Sequence, residues 1–374
     1  VPNLRFPEFT GEWMKCKFGE IATGFDYGMN AAAKPYDGQN KYIRITDIDE
    51  ASSTYNNSSI VSPDGILSEN YVVNEGDILL ARTGASTGKS YLYRKSDGKL
   101  YYAGFLIRAN VAEHNPYFVF SQLHTHRYWR WVSIMSARSG QPGINSLEYA
   151  SFPIFTTTLK EENKISSLLS LIDERITTQN KIIEDLKKLK SAISLKMLHS
   201  DSWEQFRIKD IAIIGRGRVI SSVEISQQKN PTYPVYSSQT SNEGIMGYLD
   251  DYMFEGEYIS WTTDGANAGT VFYRNGKFNC TNVCGLLKLK KGFDTHFVSL
   301  VLAEATKKYV SVNLANPKLM NNTMGNIQIR LPKLEEQKRI SIVFRRLHEL
   351  LAIHNNLLTE YSKQKQYLLS QMFI

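Results

Sequence analysis

The sequence predicts an α+β protein: two duplicated mixed α/β domains, separated by two long helices that form an antiparallel coiled coil. Three observations predict it. The 374 residues are 42% hydrophobic, enough for two cores. A Trp-started pattern recurs at an offset of 190. Each half then ends in an apolar seam with steps of 4 and 3.

The first domain is read over residues 1–158. It opens on "VPNLRFPEF", which is no signal peptide; the leading Val points to a trimmed natural start. From Trp13 the pattern "WMKCKFGEIATG" begins. Strands are expected at "KYIRITDI", "GDILLA" and "YLYR", and one helix after Pro116, "PYFVFSQLHTHRYWRWV". The stretch "ARTGASTGKS", Ala81 to Ser90, imitates a phosphate-binding loop. A true one has four residues between its first Gly and Gly-Lys-Ser, and it opens a helix. Here Gly84 and Gly88 have three between them, and "SYLYRKSDGKLYYAG" follows. That continuation reads as a β-hairpin turning at Asp97-Gly98.

The stretch 159–200 reads as the first long helix. Ile165, Leu169, Ile172, Ile176, Gln179, Ile183, Leu186, Lys190, Ile193 and Met197 form its seam. A helix of this length exceeds what one small domain can cover, so a partner helix is expected.

The second domain, 201–331, repeats the first. "WEQFRIKDIAIIG" starts at Trp203, and "EGEYISWTTDGANAGTVFYR" matches "EGDILLARTGASTGKSYLYR". Gly265 and Gly269 meet Gly84 and Gly88, whereas Thr270 stands where Lys89 was. Asn275-Gly276-Lys277 repeats the Asp97-Gly98-Lys99 turn, and a helix is expected from His296. The hairpin frame is therefore duplicated, while the loop tips differ. That pattern is what two related scaffolds reading two ligands should look like, with simple divergence of surface loops as the alternative.

The second long helix occupies 332–374. At an offset of 175 the seam returns as Ile340, Phe344, Leu347, Leu351, His354, Leu358, Tyr361, Lys365, Leu368 and Met372. Its polar rungs fall where those of the first helix fall. Gln179 and His354 read either as register-fixing or as merely tolerated.

Net charge is +7, and it is spread thinly: residues 1–158 carry 15 basic and 15 acidic side chains. Nucleic acid is a candidate partner, although no segment is strongly basic. Cys16, Cys280 and Cys284 give no disulfide framework, and the single C-x3-C pair does not specify zinc. No run of 18 apolar residues occurs, so a soluble, cytoplasmic protein with no membrane partner is expected.

Three further patterns imitate catalytic or metal sites. Pro63-Asp64 with Asp97-Gly98-Lys99 imitates a nuclease set, but the second copy has no acidic residue in the matching turn. His124-x-His126 would point its rings apart on a helix. Asn316-Pro317-Lys318 lacks the second Pro and the aromatic of an amino-methyltransferase loop. No nucleophile–base pair stands out, and the chain reads as non-catalytic.

Taken in order, "PNLRFPEFTGEW", the Trp-started repeats, "EGDILLARTGASTGK", "GQPGIN", "LKEENKI" and "LEEQKRI" resemble the specificity subunit of type I restriction–modification systems. The resemblance covers essentially the whole chain and rests on the duplicated order rather than on one motif. It implies two target-recognition domains, each reading half of a split, asymmetric site in double-stranded DNA. It implies helices that space them and dock two methyltransferase subunits, with motor–nuclease restriction subunits as optional partners. S-adenosylmethionine, ATP and Mg belong to those partners, and no cofactor to this chain. One departure is Thr157, where copy two has Pro332 ahead of its helix.

Base-edge readout wants Arg, Asn, Gln, Ser and Thr on rigidly held loops. The candidates are Arg44, Arg82, Thr83, Ser86, Thr87 and Lys89 in the first domain. In the second they are Arg216, Arg218, Ser237, Ser238, Gln239, Thr240, Thr262, Thr263 and Asn267. Asp264 reads as an acceptor for a cytosine amino group or as a turn cap. Two other functions stay open at this point: a nucleotide-binding enzyme using Gly84–Ser90, and a protein-bridging adaptor with no DNA role.

If the helices set the spacing, four residues inserted after Gln179 add about 6 Å. That is nearly two base pairs at roughly 3.4 Å each. Methylome sequencing should recover both half-sites with a longer spacer, or no methylation where register is lost. Unchanged spacing with full activity would refute the ruler.

Overall fold

The computed structural model describes residues 2–50, 52–137, 141–311 and 316–373; Gly140, the first residue of "GQPGIN", lies outside them. The chain divides into two compact units, 1–180 with 356–374 and 181–355.

Each unit is built on the same four-stranded antiparallel sheet. In the first the order is Thr23–Tyr27, Leu106–Asn110, Asp77–Ala81, Ser90–Leu92. In the second it is Ala212–Arg216, Cys284–Leu289, Tyr258–Thr262, Val271–Arg274. Asp77–Ala81 is buried along its whole length, which fits its nearly continuous apolar run. A short antiparallel pair closes each domain: Met14–Lys17 with Pro153–Thr156, and Glu204–Arg207 with Gln328–Leu331.

The expected hairpin at Asp97-Gly98 does not form. Ser90–Leu92 pairs back onto Asp77–Ala81, and Leu100–Tyr102 pairs in parallel with Lys41–Ile43. Asp97 is buried and accepts from the Tyr91 hydroxyl at 2.7 Å, while its carbonyl accepts from Lys41 Nζ at 2.6 Å. Gly98, at φ +73°, then turns the chain into a second sheet. The second unit repeats this crossing, with Lys277–Cys280 parallel to Tyr233–Tyr236.

Two further expectations are corrected. The strand in "KYIRITDI" stops at Ile43, because Asp47 clamps the Arg44 guanidinium and backbone N–H in a 3₁₀ turn. The helix after Pro116 is two helices, Pro116–Gln122 and His126–Met135. The break falls where the Gln122 side chain bonds both the N–H and the C=O of Phe155, and where Thr125 caps the next helix. The helix expected from His296 is present as Thr295–Ala305, capped by Asp294.

The long helices run Leu159–Met197 and Leu334–Met372. Ile165, Leu169, Ile172, Ile183, Ile340, Phe344, Leu347 and Leu368 are buried; Ile176, Leu186, Leu351 and Leu358 are half-buried. In the first unit Ile165, Leu169 and Ile172 share a cluster with Leu368 and Met372. Asp173 pairs with Lys365 at 2.6 Å, and Arg175 lies 5.6 Å from the Tyr361 ring, so the two helices run antiparallel there. In the second unit Ile193 and Met197 pack on Ile340 and Phe344. Gln179 and His354 are half-buried.

Thr157 explains its own departure from Pro332. The carboxylates of Glu161 and Glu162, in the first turn of the helix, are fully buried. Arg5 donates twice to Glu161, at 2.6 and 2.8 Å, and Thr157 Oγ1 donates at 2.6 Å. The Thr157 and Asn115 backbone amides donate to Glu162. Burial opposes ionisation of Glu161, but bonds from Arg5, Thr157 and Trp13 outweigh it and hold the carboxyl below its usual range. In the second unit Gln337 replaces Glu162 and donates to the Pro332 carbonyl at 2.8 Å, so no N–H is needed at that position. None of the described helices is long and apolar enough to cross a membrane.

Burial pushes the pKa of His124, in the first unit, and of His296, in the second, down to about 4. An unfolded histidine titrates near ~6.5. Below that pH the unfolded chain takes up protons that the folded chain refuses. Stability is therefore full above ~6.5 and falls as pH drops toward 4. The thermal midpoint should fall between pH 6.5 and 4.5, less steeply in a His124→Gln/His296→Gln variant. Equal slopes for the two proteins would show that these rings titrate freely.

Candidate nucleic-acid interface

In both units a loop crosses the end of the sheet between the two hairpin strands, 82–89 in the first and 263–270 in the second. Gly84, Gly88, Gly265 and Gly269 all have positive φ. The second glycine of each pair also lets a neighbouring segment approach. A Cβ on Gly88 would lie 2.8 Å from Val132, and one on Gly269 would lie 2.6 Å from Val310. This duplicated geometry accounts for the duplicated glycines.

The loop amides point inward. Gly84 N–H donates to the Pro142 carbonyl at 2.9 Å, and Gly265 N–H to that of Pro317 at 3.0 Å. Gly88 N–H donates to the Ala81 carbonyl and to Tyr149 Oη. Tyr128 and Tyr149 donate in turn to the carbonyls of Gly88 and Ala81, at 2.8 and 2.6 Å. A phosphate cradle needs those N–H groups free, and a strand rather than a helix follows. The Gly84–Ser90 stretch is therefore a tyrosine-pinned hairpin loop.

The candidate side chains divide by what they touch. Thr87, Thr262 and Thr263 are buried, and their hydroxyls donate to the loop carbonyls of Gly84, Asn267 and Val283. They hold the loops. Arg44 is paired with Asp47, Lys89 with Glu50 at 3.1 Å, and Arg218 with Glu224. Gln239 donates to the Ile245 carbonyl. Thr83, Ser86, Ser237 and Ser238 are half-buried; Thr240 and Asn267 are exposed.

Two guanidinium groups meet neutral partners. Arg82 lies 4.7 Å over the Tyr27 ring. Arg216 donates to Asn321 Oδ1 at 2.9 Å and to the Asn282 carbonyl at 3.3 Å. Tyr27 and Arg216 each end the first strand of their sheet, and Arg82 and Thr263 each follow the central strand. Each unit thus carries one cation at the same corner of its sheet, supplied by a different strand.

Sequence reasoning missed the segments that back these loops. Thr83 bridges to Gly143, and Asp264 bridges to the exposed Lys318. Gln141 stands against Gly84, where a Cβ would meet its Nε2 at 3.2 Å. The signal was present: Pro142 and Pro317 fall at the same offset of 175 as the helices. Among the described residues no group of three or more His, Cys, Asp or Glu side chains could hold a metal ion.

The family model for the type I restriction modification DNA specificity domain matches residues 200–361. A Mycoplasma pneumoniae protein named as a candidate type I specificity subunit is 38% identical over 196 residues, 51% of this chain and 81% of that protein. A second from the same organism is 44% identical over 142 residues, 37% of this chain and 46% of the relative. The fold is similar to the crystal structure of a type I restriction–modification S subunit from M. genitalium. The TM-score is 0.75 at 16% identity, over 100% of this chain and 99% of that one.

Tyr149→Phe removes one hydroxyl that serves both ends of the first loop. The Ala81 carbonyl keeps the Gly88 N–H, so losing this donor should cost about 0.5–1.5 kcal/mol. Denaturant titration should show the loss, and amide exchange at Gly88 should quicken. Unchanged exchange would mean that Tyr149 does not pin the loop.

Proposed function

We propose a function from a premise that the relatives establish: the chain belongs to the type I restriction–modification specificity subunits. It is the DNA sequence-specificity component of such a system. In the finer reading, each globular domain, 1–158 and 201–331, reads one half of a bipartite, asymmetric site. The helices over 159–200 and 332–374 set the distance and dock two methyltransferase subunits. Those partners bring S-adenosylmethionine; motor–nuclease subunits bring ATP and Mg. This chain performs no chemistry and works in the bacterial cytoplasm.

The observation that carries the two-reader reading is the loop frame built twice. Both frames fix the backbone through glycines and inward bonds, while the tips differ, "RTGAST" against "TTDGANA". A rigid frame with variable tips is the arrangement base-edge recognition requires. A nucleotide-binding enzyme is disfavoured by the inward amides. An adaptor without a DNA role would not need two such loops.

Arg82 and Arg216 are the cations we assign to DNA. Arg82→Ala and Arg216→Ala should each weaken binding by the assembled methyltransferase complex. If the contact is to phosphate, each should lower the salt slope by about 1. Exchanging residues 25–150 for another such domain should change one half of the methylated motif only. A change in both halves would contradict the two-reader model.

A further inference from the structure

In the first unit the N-terminal segment lies in a groove at the start of the first long helix. Arg5 forks onto Glu161, and Trp13 Nε1 donates to the same carboxylate at 3.2 Å. Leu4 N–H donates to the Gln371 carbonyl at 2.9 Å. Lys164 pairs with Glu8 and lies 4.6 Å over the Phe6 ring. The segment is therefore held by a carboxylate for its arginine, a cation for its acid, and a backbone carbonyl.

The second unit contains the counterpart of that groove. At the helix offset of 175, Glu161 becomes Glu336 and Lys164 becomes Arg339; Trp13 becomes Trp203 at 190, and Gln371 corresponds to Lys196. All four line one groove of about 990 Å³. Trp203 packs edge-on against Phe297 at 5.8 Å, as Trp13 does against Phe118 at 5.4 Å. Yet Glu336 is exposed where Glu161 is buried. The chain enters this unit directly from the first long helix, with only 198–202 between Met197 and Trp203. No segment comparable to 2–9 precedes Trp203 here, and 2–9 itself sits in the first unit.

We propose that this groove binds an extended arm of a partner polypeptide. The arm carries an arginine, an aromatic residue directly after it and a carboxylate three residues on, the pattern of Arg5-Phe6-Pro7-Glu8. Glu336 takes the guanidinium as a two-pronged pair, and Arg339, with Lys196 and Lys333 on the same groove, takes the carboxylate. The walls supplied by Trp203, Phe293 and Leu331 take the aromatic ring. The proposal does not rest on the DNA reading.

The probe is a fluorescent peptide of residues 2–10, PNLRFPEFT, titrated against the full chain by anisotropy. One saturable site per chain is expected. Glu336→Gln in the chain, or Arg5→Ala in the peptide, should weaken it by about tenfold or more, since a charge-assisted pair is lost. Arg339→Glu should weaken it as well. Glu336 is exposed, so the variant should fold, and circular dichroism will check this. Absence of saturable binding would overturn the proposal. So would binding that Glu336→Gln leaves unchanged, because the peptide would then be exchanging into the first unit's groove.

Discussion

Two carboxylates buried at the start of a helix organise the first unit. Glu161 and Glu162 sit in the first turn of the helix, at the positive end of its dipole, a favourable place for negative charge. Burial alone would oppose the charge on Glu161, and the bonds it accepts outweigh that. The rest of the domain donates to both carboxylates: Arg5 and Trp13 from the N-terminal segment, His114 and Asn115 from the chain before Pro116, and Thr157 from the end of the closing strand. These donors are up to 156 residues away in sequence. Removing the acid would leave Arg5 uncompensated and free several separate segments at once, which is why such pairs are costly to break. The apolar seam of the helix, Ile165, Leu169 and Ile172, lies in the cluster that includes Leu368 and Met372.

The second unit reaches the same geometry with less charge. Gln337 bonds the Asp294 N–H and the Pro332 carbonyl, doing for the second helix what Glu162 does for the first. Its neighbour Glu336 keeps the acid but is exposed, with no arginine paired to it among the described residues. The two helix starts are thus one design in two states, one with its guanidinium seated and one exposed. That contrast, rather than the groove's size, gives the exposed acid its meaning.

At the other end of each sheet, rigidity and variability are kept apart. Glycines with positive φ, buried threonine hydroxyls and, in the first unit, a tyrosine pair fix the loop backbone. The other side chains at the tip remain half-buried or exposed. Most cations near the tips are matched locally, Arg44 by Asp47, Arg218 by Glu224 and Lys89 by Glu50. Such pairing suits a specificity component. A surface that attracted any phosphate backbone strongly would bind DNA without regard to sequence.

Sequence alone determined whatever is periodic or local. The duplication, the two seams and the failure of "ARTGASTGKS" as a phosphate loop are all matters of spacing, and spacing is written in the chain. The seam residues were legible because a helix carries its period wherever it packs. Only the tertiary structure decided the rest. Asp97-Gly98 looks like a hairpin turn, but Tyr91 and Lys41 hold Asp97 so that the chain crosses to another sheet. Thr87, Thr262 and Thr263 look like readers, but their hydroxyls close the loops from within. Arg5 finds Glu161 across 156 residues, and Pro142 finds Gly84 across a helix pair. Each of these depends on which polar group meets which buried partner. That choice follows from desolvation at contacts far apart in sequence, and no local pattern records it.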